Sequence, residues 1–89
     1  MQMLKTEEKS RLFKALGEPA RLRIIEFLLN KKQCTCICEL AKYLKKDQSV
    51  VFRHVQVMKD AGIIETKKEC NFLMCCIKDK ARLRKLLEA

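Results

Sequence analysis

The chain has 89 residues, six cysteines and a formal net charge of +9. This length suits one domain and is too short for two, and the basic charge favours an anionic partner without identifying a binding face, because it is spread along the chain. No stretch reaches the ~20 apolar residues of a membrane span and the N-terminus lacks the apolar core of a secretory signal, so we expect one cytoplasmic domain, residues 1–89, with no membrane partner.

The first third of the chain predicts two helices. Leu12, Phe13 and Leu16 mark an apolar stripe over residues 6–16, which ends at Gly17. A second helix starts at residues 18–19, because proline at a first-turn position loses no hydrogen bond. This helix should end near residues 30–32 and form the centre of the core. Its stripe consists of Leu22, Ile24, Ile25, Phe27, Leu28 and Leu29.

The middle of the chain predicts a helix-turn-helix. A short apolar helix is followed by residues 45–47, a connection about as short as the motif requires. The next helix has Asp47 as its N-cap and Gly62 as its stop. The short helix carries Ile37, Leu40, Ala41 and Leu44 on one stripe. The longer helix has an apolar stripe of Val51, His54, Val55, Met58 and Ala61 and an opposite stripe of Ser49, Phe52, Arg53, Gln56 and Asp60.

After Gly62 the apolar period changes to about two, which predicts a β-hairpin. Residues 63–69 and 72–77 form its strands, and Cys70 and Asn71 form its turn. A hairpin that follows the second helix of a helix-turn-helix describes a winged helix-turn-helix fold, mainly α with a β-hairpin wing.

The last predicted element is a helix from Asp79, its cap, to Ala89. Leu83, Leu86 and Leu87 give it one apolar stripe on an otherwise basic segment. Because a lone terminal helix needs something to pack against and the domain is small, a partner subunit is expected to add burial.

The longer helix of the pair is the predicted DNA reader, since residues at the start of a recognition helix lie near base edges in the major groove. Arg53 suits guanine, Gln48 or Gln56 suits adenine, and Phe52 suits a thymine methyl. The alternative is a solvated helix face, which an exposed Phe52 disfavours. Lysines of the turn and wing would contact phosphates. The predicted contacts to double-stranded DNA are Lys45, Lys46, Gln48, Ser49, Phe52, Arg53, Gln56, Lys67 and Lys68.

His54 is the only histidine of the chain and falls on or beside the apolar stripe. We therefore expect a packed, hydrogen-bonded structural role in preference to metal ligation. No nucleophile pairs with it, and the sequence has no Gly-rich phosphate loop or clustered carboxylates. The sequence predicts neither an enzyme nor an organic cofactor.

Three thiols, Cys34, Cys36 and Cys38, fall within five residues at the start of the short helix. Thiolates bind soft metals and trivalent metalloids, and a helix N-terminus lowers thiol pKa. Residues two apart on an α-helix point about 200° from each other, so joint chelation requires an extended or unwound segment here. If the helix begins near Cys38, the other two thiols converge from the preceding loop, and an ion bound there would distort the helix that positions the reader.

The remaining thiols lie in the predicted wing. Cys75 and Cys76 point to opposite faces of a strand, so one of them should pack in the core.

Three hypotheses follow for the function of the thiols. The chain senses a thiophilic ion; or it is a redox switch whose disulfides form within the 34–38 cluster or from it to the wing; or it is a DNA-binding or protein-interaction module with no effector.

Several segments resemble one known family. Residues 12–24 resemble the "ALxxPxRLxIL" opening of the ArsR/SmtB-type metalloregulatory repressors. Residues 47–55 are similar to the family's "SQSTVSRHL" recognition helix, although Phe52 replaces a serine, and residues 57–63 match its "VLREAGLV" continuation. The resemblance implies a homodimeric repressor, dimerised through its first and last helices, that leaves its operator when it binds a metal or metalloid.

Residues 35–40 are similar to the "LCVCDL" signature of the arsenic-responsive members, which carries ligand roles onto Cys36 and Cys38. The family's third ligand follows three residues later, where this chain has Ala41, and Cys34 is the substitute. The resemblance thus implies As(III), Sb(III) or another thiophilic ion as effector. The family's last-helix zinc site is not expected, because residues 79–89 contain no histidine.

Overall fold

A computed structural model of the protein describes residues 6–88, which form five helices and a three-stranded antiparallel sheet. In chain order the elements are α1 (Thr6–Leu16), α2 (Pro19–Leu29), β1 (Thr35–Cys36), α3 (Ile37–Leu44), α4 (Gln48–Asp60), β2 (Ile64–Glu69), β3 (Phe72–Ile77) and α5 (Lys80–Glu88). The predicted end of the last helix at Ala89 lies outside the described residues. Within residues 6–88, no helix combines the length and apolarity needed to cross a membrane.

The predicted winged helix-turn-helix architecture is confirmed. Helix α2 supplies the centre of the core, with Ile24, Ile25 and Leu28 at most 2% exposed. The apolar stripes of α3 and α4 pack on it, and Leu83 of α5 is buried against the same cluster. One core therefore holds all five helices and positions the exposed side of α4.

The turn between α3 and α4 is set by the end of α3. Lys45 adopts a left-handed conformation with φ 56° and ψ 44°. The Lys45 amide donates to the Lys42 carbonyl at 3.2 Å and the Lys46 amide to the Ala41 carbonyl at 3.1 Å, the two bonds of a Schellman motif. Asp47 occupies the predicted N-cap position of α4 in an extended conformation, but its side chain makes no capping hydrogen bond.

The hairpin β2–β3, which we call the wing, has the predicted strands and a two-residue turn. Its register pairs Ile64 with Ile77 and Glu69 with Phe72. Cys70, and not Asn71, takes the left-handed conformation in the turn, with φ 57°.

Strand β1 was not predicted, since the segment before α3 was expected to be a loop. Thr35 and Cys36 instead pair with β3, so that the strand order is β1-β3-β2. Two residues are too few to show a period of two, and their extended conformation depends on the partner strand. Helix α3 begins at Ile37, one residue before Cys38, where the sequence places its start.

Helix α5 is capped as predicted, because the Asp79 carboxylate accepts a hydrogen bond from the Arg82 amide at 3.1 Å. It also contacts the end of α2. Arg84 Nη2 donates to the Leu29 carbonyl at 3.0 Å, and Lys80 Nζ donates to the Lys31 carbonyl. Cations at the C-terminal end of α2 favour that helix and fix the start of α5.

Candidate nucleic-acid interface and thiol cluster

Helix α4 has the two faces that its sequence predicts. Val51, Val55 and Met58 are at most 2% exposed, whereas the polar stripe is exposed to solvent. Phe52 lies on the exposed side with 48% of its surface accessible. An aromatic ring left in water among polar side chains favours a contact surface over a merely solvated face.

The predicted base-reading side chains differ in how they are held. Gln56 Nε2 donates to the Asp60 carboxylate at 3.2 Å, one helical turn further on. This contact orients the Gln56 amide but must open or be shared before both its polar atoms can bind a base. Gln48, Ser49 and Arg53 are exposed near the start and middle of α4.

The predicted phosphate-binding lysines lie in two places. Lys45 and Lys46 form the exposed turn before α4, and Lys67 and Lys68 lie on β2 of the wing. Successive strand residues point to opposite faces, so these two wing lysines cannot face the same side of the hairpin. Lys67 also pairs with Glu69 at 3.1 Å, which partly neutralises its charge.

His54 has the packed, hydrogen-bonded position expected of it. Its Nδ1 accepts a hydrogen bond from Arg21 Nε at 3.1 Å, which links α2 to α4. Desolvation by burial is the main cause that lowers the pKa of His54, and the neighbouring Arg21 charge lowers it further. A neutral imidazole suits this acceptor role.

Cys36 and Cys38 meet at the beginning of α3. Cys36 is the N-cap residue, in an extended conformation, and its Sγ accepts a hydrogen bond from the Cys38 amide at 3.3 Å. The Cα atoms of the two residues are 5.2 Å apart and their sulfur atoms pair as a disulfide. Cys36 is extended and Cys38 lies in the first turn of α3, so the helix start lets these two sulfur atoms meet.

Cys34, the third predicted ligand, takes a different partner. Its sulfur pairs as a disulfide with that of Cys76 on β3, with Cα atoms 4.7 Å apart. Among residues 6–88, no three His, Cys, Asp or Glu side chains are already arranged around one metal position. The structure thus joins the four thiols in two pairs and does not assemble the predicted set of three.

The other two thiols have separate environments. Cys75 is fully buried, which raises its pKa to about 11, so it is the core cysteine predicted for the strand. Cys70 is exposed in the wing turn as a free thiol.

Sequence reasoning missed the sulfur atoms gathered on one face of the sheet. Cys36 lies opposite Met74 in the β1–β3 register, two residue pairs along from Cys34 and Cys76. Alternation places these four side chains on the same face, while Cys75 and Thr35 point to the core. Only the register of β1 against β3 shows that these sulfur atoms share a face. The two residues of β1 are too few to reveal that register in the sequence.

Comparison with known proteins agrees with this architecture. Residues 18–66 match the family described as "Bacterial regulatory protein, arsR family". The chain is similar to the uncharacterized HTH-type transcriptional regulator MJ1325 of Methanocaldococcus jannaschii, with 39% identity over 75% of this chain and 74% of that protein. It is also similar to the arsenical resistance operon repressor of Escherichia coli K12, with 31% identity over 65% of this chain but only 49% of the repressor.

Among solved structures, the fold is similar to the homodimeric winged helix-turn-helix DNA-binding domain of Mb0332 from Mycobacterium bovis. The TM-score is 0.81 at 21% identity, and the match covers 99% of this chain and 87% of that one. This likeness supports the fold that the helices and wing define.

Proposed function

This chain belongs to the arsR family of bacterial regulatory proteins, and we propose that it represses transcription until a thiophilic ion binds its cysteines and releases it from the operator. Proteins of this family regulate transcription by binding DNA and are not enzymes. The proposal specifies both the effector ion and the cysteines that bind it. They are As(III), Sb(III) or another thiophilic ion, and Cys34, Cys36 and Cys38.

The observation that carries the proposal is the convergence of Cys36 and Cys38 at the first turn of α3. Helix α3 is the first helix of the helix-turn-helix, and its free Cys38 amide donates a hydrogen bond to the Cys36 sulfur. Sulfur donors suit soft metals and trivalent metalloids. The similarity to an arsenical resistance repressor supports the same class of effector.

For DNA, we propose that α4 lies in the major groove with Arg53, Gln48 and Phe52 near base edges. Its exposed polar side carries the candidate contacts, and the turn and wing lysines add attraction to phosphate. Operator binding would place the protein in the cytoplasm with the DNA.

We also propose a homodimer built on α1 and α5. Phe13 on α1 is 63% exposed, and Leu86 and Leu87 on α5 are 38% and 39% exposed. These side chains leave an apolar surface beside the core, and the similar Mb0332 domain is homodimeric. Two copies would present two recognition helices to the two half-sites of an operator.

The testing experiment uses reduced, metal-free protein on its own promoter DNA, followed by fluorescence anisotropy. Arsenite, antimonite, cadmium and zinc are added separately. We expect a thiophilic ion to release the protein, and Cys36→Ser to abolish release without weakening DNA binding. Cys70→Ser is the matched control, because Cys70 is exposed and lies in the wing turn. Tight binding that is indifferent to all four ions would remove the effector from the proposal.

A second candidate is a thiol redox switch, favoured by the Cys34–Cys76 pair. This disulfide joins the segment before α3 to the wing, so its formation would couple oxidation to two elements that position the DNA contacts. A redox switch predicts that peroxide changes operator affinity in the wild type but not in Cys76→Ser. A peroxide response that survives this substitution would exclude the pair as the switch.

A further inference from the structure

We infer that Cys76, on the wing, is a ligand of the thiophilic ion proposed above, together with Cys34 and Cys36. The inference rests on the proposed function and changes its site, because the wing becomes part of the sensor. A ligand set drawn only from residues 34–38 would leave the wing without any ligand to the ion.

The register of the sheet places the three thiols on one face, although it does not arrange them around one metal position. Cys34, the residue before β1, faces Cys76 of β3 with Cα atoms 4.7 Å apart, near the spacing of closely paired antiparallel residues. Cys36 follows Cys34 on the same strand face, about 6.6 Å further along at the rise of an extended chain. The Cys36 position lies opposite Met74, whose thioether adds a fifth sulfur beside those of Cys34, Cys36, Cys38 and Cys76.

The surroundings leave this sulfur cluster open to an ion. Cys34, Met74 and Cys76 are half-buried, whereas Cys36 is buried with 9% of its surface exposed, so an ion would reach the cluster from the side of Cys34 and Cys76. On β2, Glu65 and Lys67 lie opposite Cys76 and Met74, and both are exposed polar residues that form no apolar cover.

The other wing cysteines do not compete for this role. Cys75 points into the core, where it is fully buried, and Cys70 lies at the far end of the hairpin in the turn. The wing therefore offers one thiol, that of Cys76, to an ion held at the start of α3.

A ligand from the wing would give ion binding a mechanical consequence. Cys36 belongs to the segment that begins α3, and Cys76 belongs to the strand whose partner β2 carries Lys67 and Lys68. Ligation by both residues would tie the first helix of the helix-turn-helix to the wing. The helix that positions α4 and the wing that carries Lys67 and Lys68 would then be constrained together, which a site confined to residues 34–38 could not do.

The test measures Cd(II) binding to the full chain kept reduced throughout, by thiolate-to-metal charge-transfer absorbance in competition with a chelator. The variants are Cys36→Ser and Cys76→Ser, with Cys70→Ser as the control. We expect Cys76→Ser to weaken Cd(II) binding by about 100-fold or more, since even groups that only orient ligands contribute about 10–100-fold. The charge-transfer absorbance of Cys76→Ser per bound ion should also fall. The Cys70→Ser control should have the same absorbance and Cd(II) affinity as the wild type.

A second measurement needs no variant and guards against a substitution that disturbs folding. Wild-type protein is alkylated with iodoacetamide in the presence and absence of Cd(II), and each modified cysteine is identified by mass spectrometry. The inference expects Cd(II) to protect Cys76 along with Cys34 and Cys36, and to leave Cys70 reactive.

The outcomes separate the inference from the proposed function. If Cys36→Ser loses Cd(II) while Cys76→Ser binds as the wild type does, and Cys76 stays unprotected, the inference is overturned and the α3 sensor stands. If the wild type binds neither Cd(II) nor arsenite, both are overturned. If Cys76→Ser loses only its response to peroxide and keeps its affinity for Cd(II), Cys76 serves the redox switch and the inference is again overturned.

Discussion

Arg53 lies on the exposed side of α4, between Phe52, which also faces solvent, and His54, which faces the core. An exposed guanidinium in this position can form the two parallel hydrogen bonds that distinguish guanine. Arg53→Ala should therefore weaken operator binding by about 1–3 kcal/mol and relax the sequence preference at one base pair. Competition anisotropy against single-base operator variants measures both effects.

The control for this substitution is Arg23→Ala, which removes the same exposed charge from α2. Equal losses from the two substitutions, with no change in base preference, would mean that Arg53 acts only through general electrostatic attraction.

His54 makes folding depend on pH, because its environment disfavours the imidazolium. Burial first, and then the neighbouring Arg21 charge, lower its folded pKa below the ordinary 6.5. Below pH 6.5 the unfolded chain therefore binds more protons than the folded one, and stability is lost as the pH falls through the folded pKa. Urea unfolding between pH 7.5 and 5 should show this loss.

The matched variant for His54 is His54→Gln, since an amide oxygen can accept the Arg21 hydrogen bond without titrating. Its unfolding free energy should fall less over the same pH interval. An identical pH dependence in both proteins would assign the loss to other groups.

At the scale of the element, the end of α3 combines a structural and a binding role in one residue. Lys45 is held in the left-handed conformation that favours glycine, yet it also supplies a candidate phosphate contact in the turn. Lys45→Gly should raise the unfolding free energy by up to about 1 kcal/mol by relieving this conformation. It should also reduce the slope of log affinity against log salt by about 1.

Thermal unfolding and a salt titration of DNA binding separate the two effects. Lys42→Gly is the control, because it removes an exposed lysine inside α3, where glycine costs about 1 kcal/mol, and keeps the backbone carbonyl that accepts the Lys45 amide. A destabilised Lys45→Gly variant would show that the Lys45 side chain stabilises the turn by more than its backbone conformation costs.

The elements also show what sequence patterns can and cannot specify. The predicted helices α1 and α2 and the wing strands match the structure, because stripes of Leu and Ile, Pro19, Gly17 and a change of period mark each of them locally. Strand β1 has no such local mark, since it is defined by its register with β3.

The same distinction holds for the candidate site. The exposed stripe of α4 could be predicted because its position depends on helical periodicity within one element. The partner of Cys34 could not, because 42 residues separate it from Cys76 and only the sheet brings them together. Sequence proximity grouped Cys34 with Cys36 and Cys38, whereas the fold gives it a partner on the wing.

At the scale of the whole molecule, α1 and α5 both line one cavity, and each leaves apolar side chains exposed. Leu12 and Leu83 are buried, while Phe13, Leu86 and Leu87 remain exposed. A domain of this size buries only about 60–65% of its unfolded surface, so covering these residues in a dimer would add stability that one copy cannot supply.

We therefore expect the chain to sediment as a dimer at micromolar concentration and Leu86→Glu to shift it to a monomer, because a carboxylate would be buried in the interface. Operator affinity should fall with dimerisation, since one copy contacts only one half-site. Ala81→Glu introduces the same charge on another side of α5 and should stay dimeric. Sedimentation velocity distinguishes these states, and a monomeric wild type would show that α1 and α5 do not join two copies.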